Sequence, residues 1–232
     1  MEFFVESLIS AFSLLISLDQ ELYFIIYVSL KVSFSSTMLA SMVGIPAGFL
    51  ISLNQFPGRR GLITLLNSLM ALPTVVVGLT VYAFISRRGP LGTLELLYTQ
   101  TAMVIGQVIL ILPIVISLTI AAVSRVDDLY RKTAMTLGAS TIQTWTAIFR
   151  EARFAIGAAI IASFGRVIAE IGISMMLGGN AKGYTRTMTT AMALEYDKGE
   201  FVLSVALGLV LLLISLGVNV GLNRIQGRAG GP

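Results

Sequence analysis

The 232-residue chain contains no cysteine and no histidine. It can therefore build no disulfide, no thiol nucleophile, no Cys/His metal site and no imidazole general base. Charge is scarce as well. Asp, Glu, Lys and Arg make up 12% of residues, about half of the roughly 25% carried by a typical soluble domain. No G-x-x-x-x-G-K-[ST] run occurs, so the chain has no phosphate cradle of its own for ATP. Apolar residues are what the chain has in excess: 56% are hydrophobic, and mean hydropathy is +0.88. The formal net charge of +4 sits mainly between long apolar runs, the placement of a membrane protein and not of a nucleic-acid binder.

A helix needs about 20 mostly apolar residues to cross a hydrocarbon core of roughly 30 Å. Five stretches meet that length: 22–53, 62–86, 100–123, 153–177 and 201–222. Backbone groups in lipid must be satisfied within the segment, and continuous apolar runs are unlike the alternating strands of a barrel. The expected fold is thus all-α, a polytopic helical bundle of about five transmembrane helices. The first run is long and Ser-rich, which predicts tilt or an exposed end. Residues 1–20 form a separate N-terminal segment. Glu2, Glu6, Ser10, Ser13 and Ser17 recur at helical spacing opposite Phe3, Leu8, Phe12 and Leu15, as in an amphipathic helix at the interface; a short sixth span is the alternative. Residues 21–225 are the membrane domain, and residues 226–232 a C-terminal tail.

Orientation follows from the basic residues. With five spans, Arg59, Arg60, Arg125, Arg131, Lys132, Arg150, Arg153, Arg224 and Arg228 share one side, and Arg87, Arg88, Lys182, Arg186 and Lys198 the other. Nine against five places the first group in the cytoplasm, with the N-terminus outside and the C-terminus inside. Arg87 and Arg88 run against that bias.

The cytoplasmic stretch 124–152 reads as two short helices joined at Gly138. Asp127 supplies an N-cap, and Tyr130, Ala134 and Leu137 recur at i, i+4 and i+7. Gly138 suits the left-handed conformation that ends a helix. Ser140 and Gln143 then have capping-box spacing, and Ile142, Trp145, Ile148 and Phe149 form the apolar face of the second helix. Such a pair either lies in the interface with Trp145 as anchor or is presented to a cytosolic partner.

Lys31, Arg166 and Glu170 fall within apolar runs, where charges are costly. Arg166 and Glu170 are four apart and can pair with each other; alternatively they line the path of an anion. Lys31 either snorkels to the interface or joins that path. Ser33, Ser35, Ser36 and Thr37 can donate to an oxyanion or permit close helix packing. Gly44 with Gly48, and Gly217 with Gly221, have the spacing that lets helices approach closely. Five helices enclose a path poorly, so a twofold homodimer is the natural closure. In the non-cytoplasmic loop 178–200, Asn180, Thr185, Arg186 and Thr187 can meet an oxyanion or the surface of a partner protein.

The stretch 124–152 also resembles the coupling loop of type I ATP-binding-cassette importer permeases, whose signature is Glu-Ala-Ala, three residues, Gly, nine residues, then Ile-x-Leu-Pro. Ala134, Gly138 and Ile148 match at that spacing, and Thr136-Leu137-Gly138-Ala139-Ser140 is similar to oxyanion permeases. Lys132 stands where the signature has Glu, Thr133 where it has the first Ala, and Arg150-Glu151 where it has Leu-Pro. Gly44-Ile45-Pro46-Ala47-Gly48, Phe56-Pro57-Gly58-Arg59-Arg60 and Ala71-Leu72-Pro73-Thr74 resemble the same permeases. Ser86-Arg87-Arg88-Gly89-Pro90-Leu91-Gly92 and Gly178-Gly179-Asn180 through Thr190 resemble the tungstate branch, with molybdate permeases as neighbours.

The resemblance implies an importer subunit in the prokaryotic plasma or inner membrane, with no cofactor of its own. It further implies separate ATPase subunits that bind ATP, an external oxyanion-binding protein, and a coupling loop that includes Lys132, Thr133, Ala134, Leu137, Gly138, Ala139, Ser140, Trp145 and Ile148. An ion-coupled carrier would instead transport without ATP. An enzyme acting on lipid head groups would need a paired-acid site, and Asp127-Asp128 reads as a helix start. A scaffold would transport nothing.

Overall fold

The structure, a computed structural model, describes residues 19–126 and 128–227 together with residues 9, 12, 13 and 16. The expectations for the rest of the N-terminal segment, for Asp127 and for residues 228–232 lie outside the described residues. Residues 9, 12, 13 and 16 are helical, with Ile9, Phe12 and Ile16 exposed.

The first long helix, α1 (Gln20–Leu53), begins where the Asp19 carboxylate accepts the Leu22 amide at 2.8 Å. At about 1.5 Å per residue its 34 residues reach well beyond a hydrocarbon core of roughly 30 Å, so it must tilt or leave an end in water.

The run 62–86 is not one straight span, as expected from hydropathy, but two half-length helices, α2 (Arg59–Leu69) and α3 (Thr74–Ile85), bent by 98°. The cause is local. Pro73 has no amide to continue the ladder, and its ring drives Leu72 away from helical dihedrals. Pro73 itself is extended, with ψ 130°.

Next comes α4 (Gln100–Ser124), capped by the Thr99 hydroxyl on the Ala102 amide. A short helix, α5 (Asp128–Thr136), precedes α6 (Thr141–Ile168). The second loop helix expected before residue 152 is therefore the start of a 28-residue helix that runs into the fourth span. Arg150, Glu151 and Arg153 interrupt the apolar run but all point outward, while Ile148, Ala152, Ile156 and Ala159 keep one buried stripe across the junction. The span then breaks at residues 169–171, and α7 (Gly172–Gly178) departs at 61°. The chain closes with α8 (Met188–Lys198) and α9 (Phe201–Gly227). Three helices are long and apolar enough to cross a membrane, and with each bent pair taken as one span the described residues cross up to five times.

Packing centres on α1 against α4. A Cβ at Gly44 would sit 2.8 Å from Val115 Cγ1, and one at Gly48 would sit 2.7 Å from the Ile116 carbonyl. These two glycines set the approach of the helices. Beside them lies a buried polar chain. The Ser36 hydroxyl donates to Gln107 Oε1 at 2.8 Å, and Gln107 Nε2 reaches the Ser174 hydroxyl at 3.5 Å. It ties α1, α4 and α7 where lipid offers no competing partner. The half-helices α3 and α7 pack side by side in parallel: Gly172 meets Thr74, and Gly78 meets Ile173 and Met176.

Local contacts define two ends of the bundle. At one end the 86–99 and 179–187 loops meet, with the Tyr98 amide donating to the Leu177 carbonyl and Gln100 Nε2 to the Tyr184 carbonyl. At the other, Arg59 donates to the Ile51 and Ser52 carbonyls that end α1, and Ser52 touches Ser124 at 3.3 Å. This second end carries α5 and the start of α6.

Candidate functional site

Three groups of residues carry the functional reading, and the fold separates them. The first is the elbow between α5 and α6. Gly138 has φ +81°, and its amide donates to the Met135 carbonyl while Ala139 donates to Ala134. This is the left-handed helix stop that a side chain resists. Ser140 and Gln143 then form the full capping box that opens α6, each side chain bonded to the other's backbone amide at 3.3 and 2.8 Å. The elbow is thus sharply defined on both sides of the glycine.

What it presents is uncovered. Leu137 is 82% and Ile142 76% exposed, and Leu129, Tyr130 and Met135 are exposed beside them. Lys132 and Thr133 are also exposed, and Ala134 and Ala139 are half-buried. The apolar stripe of α6 divides in two. Ile148 is buried in the bundle, and Trp145 packs edge-on to Phe49 with ring centroids 6.4 Å apart. Phe149 also meets Phe49, at 6.0 Å. Trp145 thereby anchors α6 to α1, and the outer turn of the elbow is left as an apolar knob.

The second group lies at the α6–α7 break. Arg166 Nη1 is 3.0 Å from Glu170 Oε2, so the two charges pair within one helical turn. The carboxylate side chain is 3% exposed and the guanidinium 43%. Glu170 Oε1 accepts the Ile173 amide at 3.2 Å, and its carbonyl accepts the Thr189 hydroxyl at 2.9 Å. One residue therefore neutralises Arg166, satisfies an amide at the start of α7 and ties α8 to the break.

The structure does not bring the other two candidate path residues to this pair. Lys31 Nζ donates to Gln100 Oε1 at 2.9 Å, and Ser35 is half-buried on the same helix.

The third group is the loop 179–187. Thr185 donates to the Gly178 carbonyl at 2.6 Å and accepts the Ala181 amide at 3.0 Å. Thr187 caps α8 in a second capping box, with Thr190. Asn180 sits at φ +49° and donates to the Thr190 carbonyl at 3.3 Å. Glu21 of α1 holds Lys182 at 2.7 Å and Arg186 at 3.3 Å. The hydroxyls of Thr185 and Thr187 are engaged by backbone of the loop and of α8, and Lys182 and Tyr184 are the loop's large exposed side chains.

Sequence reading missed Gln107 as the hub of the buried polar chain. Its signal was visible, an amide inside the apolar run 100–123. It also missed the convergence of Thr74 and Gly172 at the two breaks, for which only Pro73 gave a local signal.

Comparison with known proteins agrees with this architecture. Residues 41–229 match the family model of the binding-protein-dependent transport system inner membrane component, and the chain belongs to that family. It is similar to the tungstate uptake system permease protein TupB of Peptoclostridium acidaminophilum, at 39% identity over 97% of this chain and 99% of that one. It is 36% identical to the TupB protein of Campylobacter jejuni over 94% of this chain and 92% of that one. Among solved structures, an inward-facing conformation of the MetNI methionine transporter shares the fold, with TM-score 0.73 at 15% identity, covering 93% of this chain and 99% of that chain. The chain is a multi-pass transport permease subunit.

Proposed function

We propose that this chain moves tungstate into the cell as the membrane half of an ATP-driven importer. Two copies enclose the path, separate ATPase subunits bind the nucleotide, and an oxyanion-binding protein delivers the substrate on the outside. The observation that carries the reading is the elbow at Gly138: an apolar knob fixed by two helix caps, on a chain with no nucleotide cradle of its own. Two relatives at 36–39% identity that are named for tungstate uptake supply the substrate class.

The basic residues orient the elbow to the cytoplasm. That puts α1's first residue and the 86–99 and 179–187 loops outside. At about 1.5 Å per residue, the 28 residues of α6 make a rigid rod of about 42 Å. The rod runs from the elbow to the Arg166–Glu170 junction. Closure of the ATPase against Leu137 and Ile142 would tilt this rod as one body. The tilt would displace α7 and α8 at its far end, opening the path to one side and then the other.

Uptake of labelled tungstate, molybdate and sulfate into proteoliposomes holding permease, ATPase and binding protein tests the proposal. ATP-dependent tungstate uptake is expected. Uptake by the permease alone under an ion gradient would refute ATP coupling, and exclusive uptake of molybdate or sulfate would refute the substrate.

A further inference from the structure

We propose that the outer mouth of the permease holds its own oxyanion-receiving basin, built by Arg87, Arg88, Tyr82 and Tyr98 above the α3–α7 pair. The inference rests on the orientation and substrate class proposed above. Its starting point is a conflict: on a chain whose basic residues favour the cytoplasmic side, two adjacent arginines lie outside, where topology gives no reason for them.

The structure places both arginines on the wall of a cavity of about 640 Å³, with Tyr82, Ser86 and Tyr98 beside them and Glu95 among the lining residues. A second cavity of about 680 Å³ shares Tyr82 and Tyr98 and continues along Leu79, Met175 and Met176. The two cavities share a wall and extend from the mouth along the half-helices as far as Leu79 and Met175.

A duty as helix caps does not account for the arginines. The carbonyls that end α3 are met by backbone amides: Ser86 donates to Tyr82, Leu91 to Phe84 and Gly89 to Ser86. Among the described residues, no ion pair or hydrogen bond engages either guanidinium. Two free guanidiniums on one concave wall offer the forked donors that suit a tetrahedral dianion. Tyr82 and Tyr98 lie side by side on this wall, and interaction with Tyr82 raises the Tyr98 pKa, so the pair has one phenol O–H left to donate to the anion.

The wall is also built under constraint. Of the three non-glycine residues with positive φ among those described, Glu95 and Tyr98 both line this cavity. Strained backbone of this kind gathers at functional sites. Tyr98 is pinned there by the hydrogen bond that its amide donates to the Leu177 carbonyl and by contact with Gly179, where a Cβ would come within 2.7 Å of the ring. Glu95 offsets one of the two positive charges, as release requires: a relay site must bind well enough to fill and weakly enough to empty.

The absence of cysteine makes the test clean. A Ser86→Cys variant puts the chain's sole thiol in the basin, and the assembled transporter is reconstituted in proteoliposomes. Membrane-impermeant anionic and cationic methanethiosulfonates are added from outside with and without tungstate. The anionic reagent should react faster, tungstate should slow both, and Arg87→Gln with Arg88→Gln should remove the protection. The same pair of changes should cut the anionic-to-cationic rate ratio about tenfold or more.

Absence of tungstate protection, or protection unchanged in the neutralised variant, would overturn the basin. Weaker docking of the binding protein in that variant with protection intact would also overturn it, assigning the arginines to the partner's surface. Protection by sulfate without tungstate would keep the basin and reject the proposed substrate. A thiol reached only from the lumenal side would reject the orientation, and the basin with it.

Discussion

Arg166 and Glu170 face each other across one helical turn at 3.0 Å, the carboxylate buried and the guanidinium half-exposed. The asymmetry predicts which substitution does more harm. Arg166→Ala strands a buried charge that still serves the Ile173 amide, whereas Glu170→Gln removes the charge and keeps an acceptor in place. Arg166→Ala should cost about 1–3 kcal/mol of stability. Glu170→Gln should cost less, because the guanidinium it leaves unpaired is 43% exposed, whereas the carboxylate stranded by Arg166→Ala is 3% exposed. Thermal unfolding of the detergent-solubilised complex ranks the two. If the pair is structural, assembly and uptake fall together in Arg166→Ala; uptake lost with assembly intact would show that Arg166 lines the path.

The elbow gives a sharper separation of stability from function. Gly138 has φ +81°, yet nothing lies within 4 Å of a Cβ placed there. Gly138→Val should therefore strain only the backbone, by about 1–2 kcal/mol, and clash with nothing. The chain should insert and assemble, while uptake per ATP hydrolysed falls several-fold. Gly138→Asn, which tolerates the left-handed region better, should recover part of the coupling. Wild-type stoichiometry in the valine variant would refute the docking role.

These two sites also show what was legible in the sequence and what was not. Gly138, the Ser140–Gln143 box and the i, i+4 pair of Arg166 and Glu170 are set by a few neighbouring residues, so spacing alone identified them. The breaks depend on more distant partners. Pro73 carries a local signal for the first, although the hydropathy of 62–86 predicts one span; residues 169–171 contain no proline, and the turn there is held by Thr189 from another helix. The continuity of α6 was hidden for the opposite reason. Arg150, Glu151 and Arg153 lower the local hydropathy, and a window average cannot tell that all three share the outward face.

Glycines at equal spacing should differ in effect. Gly48 has Ile116 and Thr119 within 2.7 and 2.8 Å of a modest added Cβ, whereas Gly217 and Gly221 have nothing within 4 Å. Gly48→Ala must push α1 off α4 and should destabilise by about 1–3 kcal/mol. Gly217→Ala should stay within about 0.5 kcal/mol in a single chain. If Gly217→Ala instead weakens self-association on crosslinking while leaving the unfolding temperature alone, that face of α9 packs on a second copy.

The apolar knob predicts a surface whose loss is invisible to the fold. Leu137 and Ile142 are 82% and 76% exposed, so a charge at either removes no intramolecular packing. Leu137→Asp with Ile142→Asp should leave the unfolding temperature within about 1 °C, since exposed substitutions of this kind fall within about 0.5 kcal/mol. Yet each change buries a carboxylate against whatever apolar groove receives the elbow, and an unpaired buried charge is costly. Copurification of the ATPase with the tagged permease should therefore drop about tenfold or more, and uptake with it. Trp145→Ala should do the reverse. It removes the ring that holds α6 on Phe49, so stability should fall first, and ATPase binding only as far as the elbow loses its position. An ATPase that still binds the double aspartate variant at full strength would place the contact elsewhere on the permease.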